Sequence, residues 1–182
     1  MIIETKRLIL RQPTTKDIDS LIENINDLEV SKWLLAVPYP YTKEDAIWWI
    51  NHCKEIDKEK DKKTYGFNIQ LKGRKGIIGG LGLSKINKEQ GTSDIGYWLG
   101  KKYHRQGIMT EAITPLIDFA FKKLKLRRLQ APIFAENKKS RAFAKSLGFK
   151  YEGRLRKAVK CKATGKIHDE VVYGLLKEEW KK

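Results

Sequence analysis

The sequence predicts one α+β domain in which helices flank a mixed β-sheet. Three observations support this fold class. First, 182 residues with 41% hydrophobic side chains suit a chain that folds around a single core. Second, the middle of the chain has the pattern of successive strands joined by short polar turns, and amphipathic helical patterns precede and follow it. Third, no internal repeat, low-complexity tract or linker divides the sequence, so we expect one domain over residues 1–182.

The first part of the chain predicts a strand and two helices. Residues 6–12 alternate between apolar and polar side chains, as a half-buried strand does. Thr14 and Thr42 each stand three residues before an aspartate, which is the pattern of a helix-starting capping box. Apolar residues recur at helical spacing after both starts: Ile18, Leu21, Ile22 and Ile25, then Ala46, Trp49, Ile50 and Cys53. The charged run 55–63 predicts a helix end and an exposed loop.

Three strands are predicted next, at 64–71, 75–85 and 92–99. The polar segments 72–74 and 87–91 between them suit hairpin turns. The second strand contains Gly79, Gly80 and Gly82, which indicates that another backbone or a ligand approaches closely there.

The rest of the chain predicts a long helix followed by a mixed set of shorter elements. The helix spans 107–123 and contains Pro115, which should kink or loosen it because proline has no backbone N–H and its ring crowds the preceding turn. After the helix, the pattern predicts one strand, one helix and two final strands, at 127–134, 138–146, 149–160 and 169–176.

Neither a membrane span nor a disulfide framework is indicated. The chain has no run of about 18 apolar residues and no apolar signal-peptide core at its start. Its two cysteines, Cys53 and Cys161, are too few for a disulfide framework, so we expect buried thiols in a cytoplasmic protein. Together with His52 and His168 they match no zinc-ligand spacing, and we expect no metal.

The most specific chemistry lies in the turn between the predicted strand and the long helix. Residues 95–99 read Ile-Gly-Tyr-Trp-Leu, and residues 105–112 read Arg-Gln-Gly-Ile-Met-Thr-Glu-Ala. A strand that turns into a helix with glycine in its first turn directs several backbone N–H groups, and the positive end of the helix dipole, at one place. A pyrophosphate suits that place, because glycine has no Cβ to hold it away from the backbone.

Two further segments carry a family resemblance. Residues 137–140 read Asn-Lys-Lys-Ser, and residues 147–153 read Leu-Gly-Phe-Lys-Tyr-Glu-Gly. Together with the glycine turn they resemble the acyl-CoA-binding motifs of the GNAT superfamily of N-acetyltransferases. Within it, the chain is most similar to the Rim-type enzymes, which acetylate the N-termini of ribosomal proteins. Three more segments resemble that subgroup, at 4–11, 107–112 and 168–171.

The resemblance implies the GNAT fold and acetyl-CoA as co-substrate. In that fold the fourth strand and the strand after the signature helix splay apart, and the pantetheine arm of CoA pairs with the exposed edge of the fourth strand. The phosphates then lie at the glycine turn. The implied acetyl-CoA contacts are Tyr97, Trp98, Leu99, Arg105, Gln106, Gly107, Ile108, Met109, Thr110, Asn137 and Ser140. His104 departs from the family pattern, but it leaves the backbone donors unchanged.

The same resemblance implies that Ser140 protonates the departing thiolate of CoA. A thiol has a pKa near ~8.5, so a weak acid suffices. The general base is less evident, because some Rim-type relatives have a glutamate where this chain has Val159. Our candidate for the base is Asp94, and the alternative is that Asp94 is a solvent-facing strand residue.

Several other positions have two interpretations. Asn137 suits a helix N-cap, and the resemblance adds a contact with pantetheine. Trp33 and Tyr39 lie where relatives build the acceptor pocket, although core packing also explains such aromatic residues. His168 and Asp169 match a family pair before the last strand, where a structural role is favoured over a catalytic one.

The leading functional hypothesis is transfer of acetyl from acetyl-CoA to the α-amine of a protein or peptide. An α-amine with a pKa of about 8 is partly neutral at pH 7, whereas a lysine with a pKa of ~10.4 is almost wholly charged. The absence of an evident strong base therefore favours the α-amine. A small-molecule amine is the alternative acceptor.

The charge of the chain leaves a different class of function open. Its 38 basic and 22 acidic residues give a net charge of +16, which attracts polyanions such as nucleic acid or the phosphates of CoA. The third hypothesis is therefore a basic protein that binds RNA or the ribosome on a CoA-binding fold without catalysis. No nucleic-acid-binding motif supports it, and a solvated, lysine-rich surface explains most of the charge.

Overall fold

The computed structural model describes residues 1–181, so the last residue of the predicted domain, Lys182, lies outside the described part. All strands belong to one open eight-stranded sheet. They are β1 (Ile3–Glu4), β2 (Leu8–Arg11), β3 (Tyr65–Leu71), β4 (Gly79–Asn87), β5 (Thr92–Leu99), β6 (Arg128–Phe134), β7 (Lys150–Lys160) and β8 (Ile167–Leu176). The spatial order is β1-β2-β3-β4-β5-β6-β8-β7, and every neighbouring pair is antiparallel except β5 and β6. This confirms the predicted α+β class.

Within the described residues, five α-helices flank the sheet. They are α1 (Ile18–Ile25), α2 (Leu28–Ser31), α3 (Lys43–Lys58), α4 (Ile108–Asp118) and α5 (Lys138–Ser146). The short helix α2 and the two-residue strand β1 are additions to the predicted elements. None of the helices within residues 1–181 combines the length and the apolarity that crossing a membrane requires.

Both predicted helix starts are confirmed by their hydrogen bonds. The Thr42 N–H donates to Asp45 Oδ2 at 2.9 Å, and the Asp45 N–H donates to Thr42 Oγ1 at 3.2 Å. The Thr14 N–H donates to Asp17 Oδ2 at 2.7 Å, and a short 3₁₀ turn there leads into α1. Each aspartate therefore satisfies a backbone donor that the helix itself leaves free.

Strand β4 begins later than predicted, at Gly79 instead of residue 75. The backbone of Ile77 bonds to α1 instead of a neighbouring strand. The Ile77 N–H donates to Ser20 Oγ at 2.8 Å, and the Ile77 carbonyl accepts from Asn24 Nδ2 at 3.0 Å. The predicted close approach is confirmed at Gly82, where a Cβ would lie 2.7 Å from the Tyr65 carbonyl oxygen.

The long helix predicted over 107–123 is divided into two parts. The α-helix ends at Asp118, and a π-helical segment, Phe119–Lys123, follows. The Leu124 N–H donates to the Phe119 carbonyl at 3.0 Å, which is the wider π pairing. Pro115, which we expected to loosen the helix, lies one turn before this change.

The β5–β6 pair opens the sheet where the site is expected. The parallel register covers Thr92 to Asp94 against Arg128 to Gln130 and stops there. Beyond it, β5 remains paired only with β4. Helices α4 and α5 pack on one face of the sheet, and α1 and α3 cover the other face around Trp98. The gap between β5 and β6 is therefore bounded by helices on the face that carries α4 and α5.

Candidate active site

The glycine turn has the backbone conformation that its sequence predicts. Gly107 is the residue before α4 and has a φ of +72°, in the left-handed region that glycine adopts without strain. No side chain caps the first turn of α4, so its backbone N–H groups are free to bind a ligand. A Cβ at Gly107 would meet only Arg7 Nη2, at 3.6 Å. The turn fits an anionic group.

Residues 5–7 of the N-terminal segment hold this turn in place through hydrogen bonds. Glu111 Oε1 accepts from Thr5 Oγ1 at 2.6 Å and from the Arg7 N–H at 2.7 Å, and Glu111 Oε2 accepts from Arg7 Nε at 2.6 Å. Arg7 Nη1 also donates to the Gln106 carbonyl at 3.1 Å. Burial acts to raise the pKa of Glu111, but the hydrogen bonds from Thr5 and Arg7 hold it below its usual range. Two segments with a family resemblance thus meet in one cluster.

The other predicted residues of the turn differ in what their side chains can do. Ile108 is buried in the main core and Met109 packs against that core, so both offer only backbone groups to a ligand. Gln106 Nε2 donates to the Lys102 carbonyl at 2.8 Å. Arg105 and Thr110 are exposed, and Arg105 has a φ of +61°. The side chains of Arg105 and Thr110 are therefore free to reach a phosphate bound at the turn.

Ser140 and Tyr97 form the central polar pair of the site. Their hydroxyl oxygens lie 2.8 Å apart, and the Tyr97 ring packs edge-on against Phe143 of α5. Burial raises the pKa of Tyr97 to about 12, with the Ser140 hydrogen bond opposing the rise, so the phenol is neutral at physiological pH. The sequence predicted a contact with CoA only for the backbone of Tyr97. The contact between its hydroxyl and Ser140 was not predicted.

Asn137 holds the first turn of α5 as the predicted N-cap. Its Oδ1 accepts from the Ser140 N–H at 3.1 Å, which fixes the backbone of the residue whose hydroxyl faces Tyr97.

The edge of β5 that faces β6 has no strand partner after Asp94. Gly96 is exposed there, with no heavy atom within 4 Å of the place a Cβ would occupy. Trp98 lies on the face of β5 opposite Tyr97, among residues of α1 and α3.

Asp94 is buried, so its interpretation as a solvent-facing strand residue is wrong. It is 6% exposed, and Oδ1 accepts from Gln130 Nε2 at 2.6 Å. Oδ2 lies 2.8 Å from Lys85 Nζ, and the hydrogen bond and charge of Asp94 raise the pKa of Lys85. Because side chains alternate along a strand, Asp94 faces the opposite side of the sheet from Tyr97.

The two predicted acceptor residues lie in the loop after α2. Trp33 is partly exposed beneath the Lys32 ammonium, 5.3 Å from its ring centroid, and Tyr39 is 43% exposed. The Lys162 N–H donates to the Leu35 carbonyl at 3.1 Å, so this loop is attached to the hairpin between β7 and β8. No hydrogen bond or ring contact within residues 1–181 joins Trp33 or Tyr39 to the Tyr97–Ser140 pair.

His168 and Asp169, predicted to precede the last strand, lie inside β8 and make structural contacts. Asp169 Oδ1 accepts from the Lys157 N–H at 2.7 Å and Oδ2 accepts from Arg154 Nε at 2.7 Å, which together lower the pKa of Asp169. His168 stacks on Phe134 with 4.8 Å between ring centroids. Its Nδ1 lies 3.2 Å from Glu136 Oε2, and its Nε2 is buried without a hydrogen-bond partner in the described chain.

Glu170 is a carboxylate that the sequence did not single out. It is half-buried, opposite Phe134 of β6 on one side and Leu155 of β7 on the other. Burial raises the pKa of Glu170, the charge of Asp94 adds to the rise, and the charge of Lys85 opposes it. It lies within the 168–171 segment that resembles the Rim-type enzymes, but that resemblance gave Glu170 itself no role.

Metal-binding clusters are not found in residues 1–181: no group of three or more His, Cys, Asp or Glu residues there can hold an ion. Cys53 and Cys161 are both free and buried, as expected. Burial raises the pKa of the Cys53 thiol to about 12, so this thiol stays protonated.

Comparisons with known proteins agree with this geometry. The family model of the acetyltransferase (GNAT) domain matches residues 7–150. N-acetyltransferase p20 of Bacillus licheniformis is 34% identical over 178 residues, which cover 97% of this chain and 96% of that protein. The ribosomal-protein-serine acetyltransferase of Escherichia coli K12 is 33% identical over 82 residues, which cover 45% of this chain and 46% of that protein.

A solved structure extends the similarity to the whole fold. The crystal structure of a GNAT-family acetyltransferase from Bacillus anthracis has a TM-score of 0.80 and 28% identity, covering 98% of this chain and 100% of that one. Its fold matches the open sheet described above. On the family model, the relatives and the fold together, the chain belongs to the GNAT acetyltransferase family and is an acyltransferase.

Proposed function

We propose that this acyltransferase uses acetyl-CoA and transfers the acetyl group to the α-amine of a protein or peptide. The observation that carries the proposal is the Tyr97–Ser140 hydroxyl pair, which lies beside the unpaired edge of β5, the strand that leads along the chain to the glycine turn before α4. A long phosphorylated thioester suits this arrangement. Its phosphates need an anion site, which the glycine turn offers, and its sulfur needs a proton donor, which the hydroxyl pair offers.

Acetyl-CoA is proposed to lie along the opening of the sheet. Its phosphates bind the backbone N–H groups of residues 105–110, supported by the Arg105 and Thr110 side chains. Its pantetheine amides pair with the β5 edge from Tyr97 to Leu99, as an added strand would. The amide of Asn137 is oriented by its N-cap bond to Ser140 and supplies one further contact.

Ser140 is proposed as the general acid for the departing thiolate. The hydroxyl of a serine is a weak acid, but a thiol with a pKa near ~8.5 leaves readily and needs little assistance. Tyr97, whose pKa burial raises to about 12, remains protonated and keeps the Ser140 hydroxyl in position.

A protein α-amine is the proposed acceptor for two reasons. One relative over 82 residues is named for acetylating a ribosomal protein. In addition, an α-amine with a pKa of about 8 needs only a modest base, whereas a lysine amine needs a strong one. The net charge of +16 supports work close to the RNA-rich surface of the ribosome, and the two free thiols suit the cytoplasm.

The test is a thiol-release assay with acetyl-CoA and matched acceptors. One peptide has a free N-terminus and no lysine, and its partner has a blocked N-terminus and one lysine. We expect acetylation of the first and a rate that rises with pH toward about 8. Preference for the lysine peptide contradicts the α-amine assignment. Activity on a small amine alone supports the small-molecule alternative, and no turnover with any amine favours a binding protein.

A further inference from the structure

The side of the sheet from which the amine arrives limits the groups that can accept its proton. Helices α4 and α5 cover the face on which Tyr97 and Ser140 meet. An amine therefore reaches a thioester in the β5–β6 gap from the opposite face. By strand alternation, that face carries Asp94 on β5 and the side chains of Gln130 and Phe134 on β6.

Strand β8 adds two titratable side chains to the same face. Glu170 is paired with Phe134 in the antiparallel register, and residues directly opposite each other share a face. His168 lies two residues earlier on β8 and so faces the same way. Asp94, His168 and Glu170 are thus the groups on this face that can be compared as bases.

Two of the three are already engaged. Each carboxylate oxygen of Asp94 has its own partner, Gln130 Nε2 at 2.6 Å and Lys85 Nζ at 2.8 Å, and the residue is 6% exposed. Neither carboxylate oxygen of Asp94 is therefore free to contact an amine. His168 is stacked on Phe134, and its Nε2 is shielded from solvent. Neither group is open to an incoming amine.

Glu170, unlike Asp94 and His168, has carboxylate oxygens that are neither bonded nor shielded in the described part of the chain. Within residues 1–181 its carboxylate makes no hydrogen bond or ion pair, although the charges of Lys85 and Asp94 act on it, and the residue is partly exposed. Its neighbours in the sheet are apolar, Phe134 on one side and the 52% exposed Leu155 on the other. The free oxygens can accept a proton from an amine, and burial raises the pKa of this carboxylate.

We propose that Glu170 is the general base of the acetyl transfer, and that Asp94 is a positioning residue that holds Lys85 and Gln130. The proposal rests on the function proposed above. The amine nitrogen bonds to the thioester carbonyl carbon, and the C–S bond breaks with its electron pair on sulfur. The Glu170 carboxylate takes one proton from the nitrogen, and Ser140 gives one to sulfur. Glu170 then releases its proton to water, and Ser140 regains one from water.

The surrounding charges set the expected pH behaviour. Lys85 from β4 and Asp94 from β5 act on the Glu170 carboxylate across the face, and His168 precedes it on β8. Burial and Asp94 raise the pKa of Glu170, while Lys85 lowers it. The plot of kcat/KM against pH should therefore have two acidic limbs, one set by the acceptor amine near about pH 8 and one at lower pH that belongs to Glu170. Asp94→Asn should move the Glu170 limb to lower pH, and Lys85→Met should move it to higher pH.

The decisive experiment compares Glu170→Gln with the control Glu136→Gln, using the amine that the wild-type enzyme acetylates best. Glu136 is a neighbouring carboxylate, 54% exposed, that contacts His168 and has no part in the proposed chemistry. We expect kcat of Glu170→Gln to fall about 100-fold at pH 7 and the lower acidic limb to disappear while the limb of the acceptor amine remains, with the KM for acetyl-CoA unchanged. Glu136→Gln should keep the wild-type rate and both limbs.

The outcomes separate the two proposals. A Glu170→Gln enzyme with the wild-type rate, or with the lower acidic limb intact, overturns the base assignment and leaves the acetyltransferase activity standing. Loss of activity together with a raised KM for acetyl-CoA or a lowered melting temperature also overturns it, in favour of a structural role. A wild-type enzyme that acetylates no amine overturns the proposed function itself.

Discussion

The Glu111 carboxylate accepts two hydrogen bonds from Arg7, one from its backbone N–H at 2.7 Å and one from Nε at 2.6 Å. This contact joins the segment before β2 to the first turn of α4, directly behind the Gly107 turn. Arg7 reaches the turn itself through the Gln106 carbonyl, at 3.1 Å. The shape of the proposed anion site therefore depends on two segments that lie far apart along the chain.

Replacing Glu111 should reduce stability in a pH-dependent way. Glu111→Gln should lower the free energy of unfolding at pH 7 by about 1 kcal/mol, because it removes a charged acceptor that is partly screened by solvent. The pKa of Glu111 is lowered in the folded state from its ordinary value of 4.5, so its contribution is full above that pH and is lost as the pH falls through the folded value. Urea unfolding of both proteins between about pH 7 and pH 3 measures the difference, which should shrink toward acid. A constant difference across this range would contradict the assignment.

Gly107→Val should weaken CoA binding at least about tenfold. The valine side chain would enter the space of the proposed phosphate, and its β-branch would strain a φ of +72°. Gly165→Val is the matched control, because Gly165 has a φ of +68° and open space around it but lies in the hairpin between β7 and β8. Calorimetric titration with CoA gives both affinities. Equal affinity for CoA in a folded Gly107→Val protein would exclude the turn as the phosphate site.

Ser140→Ala should lower kcat about ten- to a hundredfold with little change in the KM for acetyl-CoA. The loss is at the low end of general acid catalysis because the thiolate leaves readily. Ser146→Ala is the control on the same helix, since its hydroxyl only donates to the Phe143 carbonyl, at 2.7 Å. Steady-state kinetics on both variants test the prediction. Wild-type kcat in Ser140→Ala would remove this hydroxyl from the mechanism.

Gly82→Ala should lower the free energy of unfolding by about 1–3 kcal/mol, as overpacking in a tight site does. The new Cβ would lie 2.7 Å from the Tyr65 carbonyl oxygen, which belongs to a paired strand and cannot move freely. Gly96 is its partner in the β4–β5 register, and an added methyl group there would have no heavy atom within 4 Å. Gly96→Ala should therefore change stability by less than about 0.5 kcal/mol. Chemical denaturation compares the two, and equal losses would show that the contact with Tyr65 is not the cause.

The sequence predicted local features well where the signal lies within a few neighbouring residues. The capping pairs that begin at Thr14 and Thr42 are examples, because each depends on a threonine and an aspartate three residues apart. It failed where a tertiary contact competed with a local pattern. Ile77 is a β-branched residue inside a predicted strand. In the structure its N–H donates to Ser20 of α1 and its carbonyl accepts from Asn24 of α1.

The sequence by itself determined the α+β class, the glycine turn at Gly107 and the family motif around Ser140, because these are written in periodicity and in short motifs. Only the tertiary structure decided which side chains meet. It buried Asp94 between Lys85 and Gln130, left Glu170 open on the same face, and set the Tyr97 hydroxyl against Ser140. The physical reason is that these contacts cross between strands and helices, where the register of the sheet and its opening after Asp94 fix distances that no spacing along the chain records.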